Sequence, residues 1–189
     1  STLVTMPRFD LEQFLGLLQD QRITRAYVAP PIVLALAKHP LVDKYDLSAL
    51  KSVFSGAAPL DAGLEQACAE RLDCEVMQGW GLTETSPVAT TNYNAPGGPQ
   101  PGSVGVPLPN TEMRVVDPAT GADVSRGETG ELLVRGPQVM KGYLNAPEAT
   151  AAMLDPDGWL HTGDLGTIDE HGYVYIVDRV KELIKYKGF

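Results

Sequence analysis

Residues 78–84 read Gln78-Gly79-Trp80-Gly81-Leu82-Thr83-Glu84 and gather several chemical types in a short space. Glycines flank an aromatic ring. Lacking a Cβ, they let the backbone approach a flat ligand closely and tolerate positive φ. Thr83 offers a neutral hydroxyl donor that suits a phosphate oxygen, and Glu84 a hard oxygen that suits Mg²⁺. A nucleotide with its metal would use all three features at once. A strand running into a Gly-rich turn accounts for the same residues without any ligand.

Three further stretches carry related chemistry. Ser55-Gly56-Ala57-Ala58-Pro59 is a small-residue turn that leaves room for a flat slot, or for close helix–strand packing. Gly158-Trp159-Leu160-His161-Thr162-Gly163-Asp164 reads as a Gly-bracketed turn. The two oxygens of Asp164 suit both hydroxyls of a ribose, although an Asp in such a turn also serves as a turn-former. Asp178-Arg179 brings a planar five-donor fork suited to ribose or phosphate oxygens, or a surface ion pair.

The elements that must position these residues alternate. Asp10 reads as an N-cap, with Leu11, Phe14, Leu15 and Leu18 at helical spacing after it. Residues 26–29 suit a buried strand, and Pro31 opens a helix through Lys38. Residues 51–54 read as a strand, 61–72 as a helix and 75–78 as a strand leading into the first motif. Strands alternating with helices imply a parallel sheet, and ligands in such sheets sit at the carboxyl ends of strands. Residues 94–103 hold three prolines and three glycines and read as a loop or boundary. Strands dominate afterwards, at 111–116, 130–135, 173–177 and 183–186, with one short helix near 147–153. The expected fold class is α/β: a partial parallel or mixed sheet with flanking helices, then a small antiparallel sheet or barrel. The expected divisions are 1–98, 99–180 and a terminal stretch at 181–189.

Composition bounds the function. Of the 189 residues, 43% are hydrophobic and 21% charged, as in globular proteins that bury a core. A net charge of −9 argues against a nucleic-acid surface. Residues 147–178 contain seven Asp or Glu and no Lys or Arg, whereas 179–189 carry Arg179, Lys181, Lys185 and Lys187 against Glu182. That basic end suits an anionic ligand, or a solvated strand. Cys68 and Cys74 are too few for a disulfide framework and lack metal-ligand spacing, which reads as a reduced, cytoplasmic setting. The longest apolar run, 26–37, is too short to span a bilayer. No signal peptide is visible, and Ser1 is not a natural start.

Together these stretches resemble the adenylate-forming acyl-CoA synthetases, and among them most the 4-coumarate–CoA ligases. The resemblance covers nearly the whole chain. It rests on 30–34, 44–48, 55–59, 78–84, Gly130-Glu131-Leu132, Met140-Lys141-Gly142-Tyr143, 158–164 and 177–189. It implies two steps: a carboxylate attacks the α-phosphate of ATP to give acyl-AMP and pyrophosphate, and coenzyme A then displaces AMP to give a thioester. Catalysis of this kind is mostly positioning and charge stabilisation. By resemblance, Ala58, Gln78, Gly79 and Trp80 border adenine. Thr83 touches the α-phosphate, Glu84 binds Mg²⁺, and Asp164 and Arg179 hold the ribose. Gly56, Ala57, Gly81, Pro87 and Val88 line the acyl pocket. Lys181 is the hinge to a mobile C-terminal domain, and Lys185 contacts the acyl-adenylate or coenzyme A.

The departures set further expectations. A Ser/Thr/Gly-rich phosphate loop ending in lysine is absent from residues 1–189, as is the C-terminal domain with its adenylation lysine. The stretch is therefore expected to be a middle piece of such a ligase, inactive by itself. Phe54 stands where many relatives carry Lys, which weighs against hydroxycinnamate as the acid although an aryl acid is the first expectation. A fatty acyl-CoA synthetase or luciferase-like relative, a non-catalytic nucleotide-binding module and a β-rich interaction domain are the alternatives. Apolar surface bared on the sheet would favour self-association, which light scattering would detect; a clean monomer at high concentration would refute it.

Overall fold

The computed structural model describes residues 2–93, 95 and 97–179. The chain forms two compact units divided between Met77 and Gln78. Its strands make a five-stranded and a four-stranded sheet, in each of which neighbours follow chain order. The α/β class read from the sequence is what the structure shows. Of the two forms expected for the second part, it takes the open antiparallel sheet rather than a closed barrel.

In the first unit two α-helices begin where a capping side chain satisfies a free N–H group, whereas a third begins on proline. The Asp10 carboxylate accepts from Gln13 N at 2.9 Å to start α1 (Leu11–Asp20). The Asp61 carboxylate accepts from Leu64 N at 3.1 Å to start α3 (Ala62–Leu72). Proline occupies the first turn of α2 (Pro30–Lys38), where a missing N–H costs nothing. β1 (Arg25–Val28) and β2 (Ser52–Ser55) pair in parallel, with Ala26 opposite Val53 and Val28 opposite Ser55. Leu15, Val33, Leu36, Val53 and Cys68 join one core from the three helices and β2. On the other face of the pair, Tyr27 stays 65% exposed with its ring 5.9 Å from that of Phe54. Burial pushes the Cys68 thiol up to about 12 and the Cys74 thiol to about 11, so neither is a nucleophile at neutral pH.

The Ser55 hydroxyl is buried without a hydrogen-bond partner among the described residues. It shares the core face with Val53. A buried unpaired hydroxyl opposes folding, so Ser55→Ala is expected to raise unfolding stability by about 1 kcal/mol. Urea unfolding checks this; a loss of stability would mean that Ser55 has a partner after all.

The second unit begins within β3 (Glu75–Trp80). Antiparallel pairing joins β3 to β4 (Thr90–Thr91) and β4 to β5 (Val106–Pro107). The buried Asn92 amide donates to Gln78 O at 3.0 Å and Ser103 O at 2.8 Å, tying the end of β3 to the next segment. Then β6 (Glu112–Val116), β7 (Gly130–Arg135), β8 (Leu160–Ile168) and β9 (Val174–Arg179) form the antiparallel sheet, with α4 (Pro147–Met153) before β8. One face packs Val104, Val115, Leu132 and Val174 together, with Trp80 against them. The other packs Trp159 on Val116 and Leu133. The guanidinium carbons of Arg135 and Arg114 lie 4.5 and 5.3 Å from the Trp159 ring centroid.

Two expectations meet a different outcome or fall outside view. Residues 158–164 are not a turn: β8 starts at Leu160, and Asp164 lies within it. The strand expected at 183–186 lies outside the described residues, as do Lys181 and Lys185. Among the described residues no helix is long and apolar enough to cross a membrane.

Candidate functional site

Gln78, Gly79 and Trp80 are the last residues of β3, so the turn begins only at Gly81. A Cβ on Gly81 would lie 2.0 Å from Pro87 O and 2.8 Å from Val88 Cα. Its missing side chain is thus required by the returning backbone of the same loop. The buried Thr85 side chain holds that loop: its hydroxyl accepts from Leu82 N at 2.9 Å, and Leu82 O and Pro87 O lie within its donating reach. Ala89 N closes the loop onto Trp80 O at 2.9 Å. Thr83 and Pro87 are left exposed at its tip, and Val88 is half-buried.

Glu84 is fixed twice. Its carbonyl accepts from Met140 N at 2.8 Å, and its Oε1 accepts from the Tyr143 hydroxyl at 2.5 Å. The bond to this carboxylate holds the Tyr143 phenol above its ordinary pKa, because ionising it would lose the bond and set two negative charges together. Nothing in the type or spacing of Tyr143 marks it as a partner of a residue 59 positions away. Among the described residues no three His, Cys, Asp or Glu side chains gather to hold a metal. A single half-buried carboxylate suits Mg²⁺, which keeps several waters and takes one or two carboxylates plus phosphate oxygens.

Asp164 owes its aim to an irregularity in β8. Leu132 alone lies between the paired Glu131 and Leu133, whereas Thr162, Gly163 and Asp164 lie between their partners His161 and Leu165. Gly163 takes φ +70, which glycine adopts without penalty. The bulge frees backbone groups, and nearby side chains satisfy them. The Thr162 hydroxyl donates to Leu132 O at 2.7 Å and accepts from Asp164 N at 3.1 Å. The Glu131 carboxylate accepts from Gly163 N at 3.1 Å and faces His161 Nδ1 at 3.2 Å. Glu131, a resemblance residue without a role of its own, is thereby a support for the bulge. Such bulges re-aim a side chain; here Asp164 joins Leu160, Thr162 and Gly166 on the buried side of β8.

The carboxylate of Asp164 is 3% exposed and is held at both oxygens. Oδ2 accepts from Trp80 Nε1 at 2.8 Å. Oδ1 pairs with Arg179 Nε at 2.9 Å across the β8–β9 register that sets the two residues opposite each other. Trp80, Asp164 and Arg179, expected from three separate stretches, are thus brought together. Glu84 and Tyr143 form a second pair. Gln78 is buried in β3, and Gly79 faces Thr91 across the β3–β4 pair.

Gly56, Ala57 and Ala58 belong to the first unit and follow β2 directly. Gly56 N donates to Val28 O at 3.2 Å, and a Cβ there would meet nothing within 4 Å among the described residues. Ala57 takes φ +73, a conformation that costs a residue with a Cβ about 1 kcal/mol or more. Open space beside Gly56 and a strained backbone at Ala57 mark this turn as more than a connector.

Residues 1–144 match the family of AMP-binding enzymes. The chain is 51% identical over 193 aligned residues to 4-coumarate–CoA ligase 2 of Oryza sativa subsp. japonica, covering all of this chain and 34% of that protein. Among solved structures it resembles ATP-bound MatB from Rhodopseudomonas palustris, with a TM-score of 0.87, 38% identity and coverage of 98% of this chain and 36% of that one. It also resembles the anthranilate CoA ligase AuaEII in complex with anthranoyl-AMP, with a TM-score of 0.84, 28% identity and coverage of 95% and 34%. The chain spans about a third of the length of most of the curated relatives it matches. Its match over residues 1–144, with the motifs above, makes the chain a member of the AMP-binding enzyme family.

Proposed function

We propose that this chain contributes the adenosine site and part of the acyl site of an ATP-dependent carboxylic acid–CoA ligase. The observation that carries the reading is Asp164, a buried carboxylate held at one oxygen by an indole N–H and at the other by a guanidinium. Each oxygen retains a lone pair, so the pair suits the two hydroxyls of a ribose. The ATP and anthranoyl-AMP carried by the matched structures support a nucleotide and an aryl acyl-adenylate as ligands.

On this reading Ala58 and Gln78–Trp80 border adenine, and Arg179 joins Asp164 at the ribose. Thr83 donates to the α-phosphate, and Glu84 takes Mg²⁺. The carboxylate oxygen of the acid forms a bond to the α-phosphorus as the bond to pyrophosphate breaks. Coenzyme A sulfur then attacks the acyl carbon, and AMP leaves. Gly56, Ala57, Gly81, Pro87 and Val88 line the acyl pocket, and residues 1–98 and 99–180 are subdomains of one adenylation domain. Lys181 and Lys185 keep their proposed roles as hinge and acyl-adenylate or coenzyme A contact. An aryl acid is the proposed substrate class, given 51% identity to a 4-coumarate–CoA ligase.

A polypeptide of residues 1–189 is expected to bind AMP in calorimetry yet to show no acid-dependent pyrophosphate exchange. Absence of AMP binding would overturn the adenosine site, and clear exchange would overturn the expected incompetence. Gly56→Ala tests the acyl pocket. Its Cβ has open space, so thermal stability should hold while affinity for a non-hydrolysable aryl acyl-adenylate falls about tenfold, the scale of an overpacking cost near 1.4 kcal/mol. Unchanged affinity would remove Gly56 from the pocket.

A further inference from the structure

We propose that Trp80 is a positioning residue whose indole N–H, rather than its ring alone, holds Asp164 ready for the ribose and thereby sets selectivity for ribose over deoxyribose. The inference rests on the ribose reading of Asp164.

The geometry is specific to an indole. Trp80 Nε1 is a donor only, and it reaches Asp164 Oδ2 at 2.8 Å. Phenylalanine in its place would keep an aromatic wall and lose the donor. The ring is well anchored: Trp80 pairs with Thr90 across the β3–β4 ladder, its carbonyl accepts from Ala89 N, and it packs against the core formed by Val104, Val115, Leu132 and Val174. Arg179, the other holder, has a side chain 58% exposed on a long stem. The two grips therefore differ in stiffness. The indole holds one carboxylate oxygen from a packed ring, while the guanidinium holds the other from a solvent-exposed side chain.

Selectivity follows from burial. The Asp164 side chain is only 4% exposed, so water replaces a missing ligand hydroxyl poorly. A site that pairs a substrate hydroxyl with a buried acceptor discriminates strongly against the analogue lacking that hydroxyl. The discrimination depends on a carboxylate held at the right angle, which Trp80 supplies.

The experiment measures AMP, 2′-deoxy-AMP and 3′-deoxy-AMP binding by calorimetry in the wild-type chain, Trp80→Phe and Asp164→Ala. The expected result is that Trp80→Phe weakens AMP about tenfold, the scale of one hydrogen bond to a charged group, and weakens each deoxynucleotide, which keeps a single hydroxyl on Asp164, by less, so that the preference for AMP narrows. Asp164→Ala should erase the preference. If the wild-type chain shows no preference, or Asp164→Ala keeps it, the ribose reading fails and the inference with it. If Asp164→Ala erases the preference but Trp80→Phe retains it in full, the ribose reading stands and the role of the indole is overturned. A second measurement needs no Trp80 variant. Solvent exchange of the Trp80 indole N–H should be slow in the wild-type chain and faster in Asp164→Ala; equal rates would overturn the proposal.

Discussion

Asp164→Ala is expected to weaken AMP binding about 100-fold or more while leaving the antiparallel sheet folded. The substitution removes the acceptor for two ribose hydroxyls. Each hydrogen bond to a charged group is worth roughly 1.5–3 kcal/mol, and two such losses exceed the ~2.7 kcal/mol that a factor of 100 requires. Two donors lose their acceptor in the ligand-free chain. Water replaces it for Arg179, whose side chain is 58% exposed. Trp80 Nε1 is partly buried and loses more, on the order of 1 kcal/mol. That cost is offset in part because a carboxylate need no longer be buried. Calorimetry and thermal unfolding on one preparation separate the two effects. An unaltered AMP affinity would exclude Asp164 from the nucleotide site, and loss of the folded state would make it a structural residue first.

The largest stability effect is expected at Gly105, which sits where β4, the segment from Ser103 and the start of β9 converge. It takes φ +90, and a Cβ would lie 2.0 Å from Thr91 C, 2.1 Å from Thr91 O and 2.4 Å from Asn92 N. All three atoms are backbone, so no side chain can swing aside. The neighbouring bonds hold the geometry: Gly105 N donates to Ser103 Oγ at 2.9 Å, and Gly105 O accepts from Val174 N at 2.8 Å. Adding the left-handed penalty to the overlap, Gly105→Ala should cost roughly 3–5 kcal/mol, a large fraction of the stability of a typical domain. Gly121 is the control. Its φ is +71, but a Cβ there meets nothing within 4 Å among the described residues, so Gly121→Ala should cost only about 1 kcal/mol. Urea unfolding of the two variants decides; equal losses would show that overlap contributes nothing.

Local rules made much of the first unit readable. Asp10 caps α1 where its spacing predicts, and Pro31 lies in the first turn of α2; Asp61, within the stretch that reads as helix, is the cap of α3. Such signals act within a few residues and need no knowledge of the fold. β8 was hidden because a strand that carries a site does not alternate apolar with polar. Its inner face reads Leu160, Thr162, Asp164, Gly166, and only the first is a large hydrophobe. The two glycines at 158 and 163 then imitate a turn. Trp80 and Asp164 are both visible as candidates, but their bond spans 84 positions and joins a strand of one sheet to a strand of the other, so it arises only from tertiary packing. By resemblance Gly81 lines a pocket, and the fold adds a second demand for it. The close approach of Pro87 and Val88 that demands it is a tertiary fact. Glu131 was invisible to residue physics because its partner, Gly163 N, becomes available only through the bulge.

That bulge also sets a rule of parity. Three residues of β8 stand where β7 has one, an excess of two, and a strand alternates in twos. An even excess returns the chain to the same phase, which is why Gly166 still points inward with Leu160. An odd excess would not. Losing Gly163 alone would place Asp164 directly after Thr162 and send its carboxylate to the opposite face. In this strand a single-residue deletion is therefore a reversal of orientation before it is a change of length.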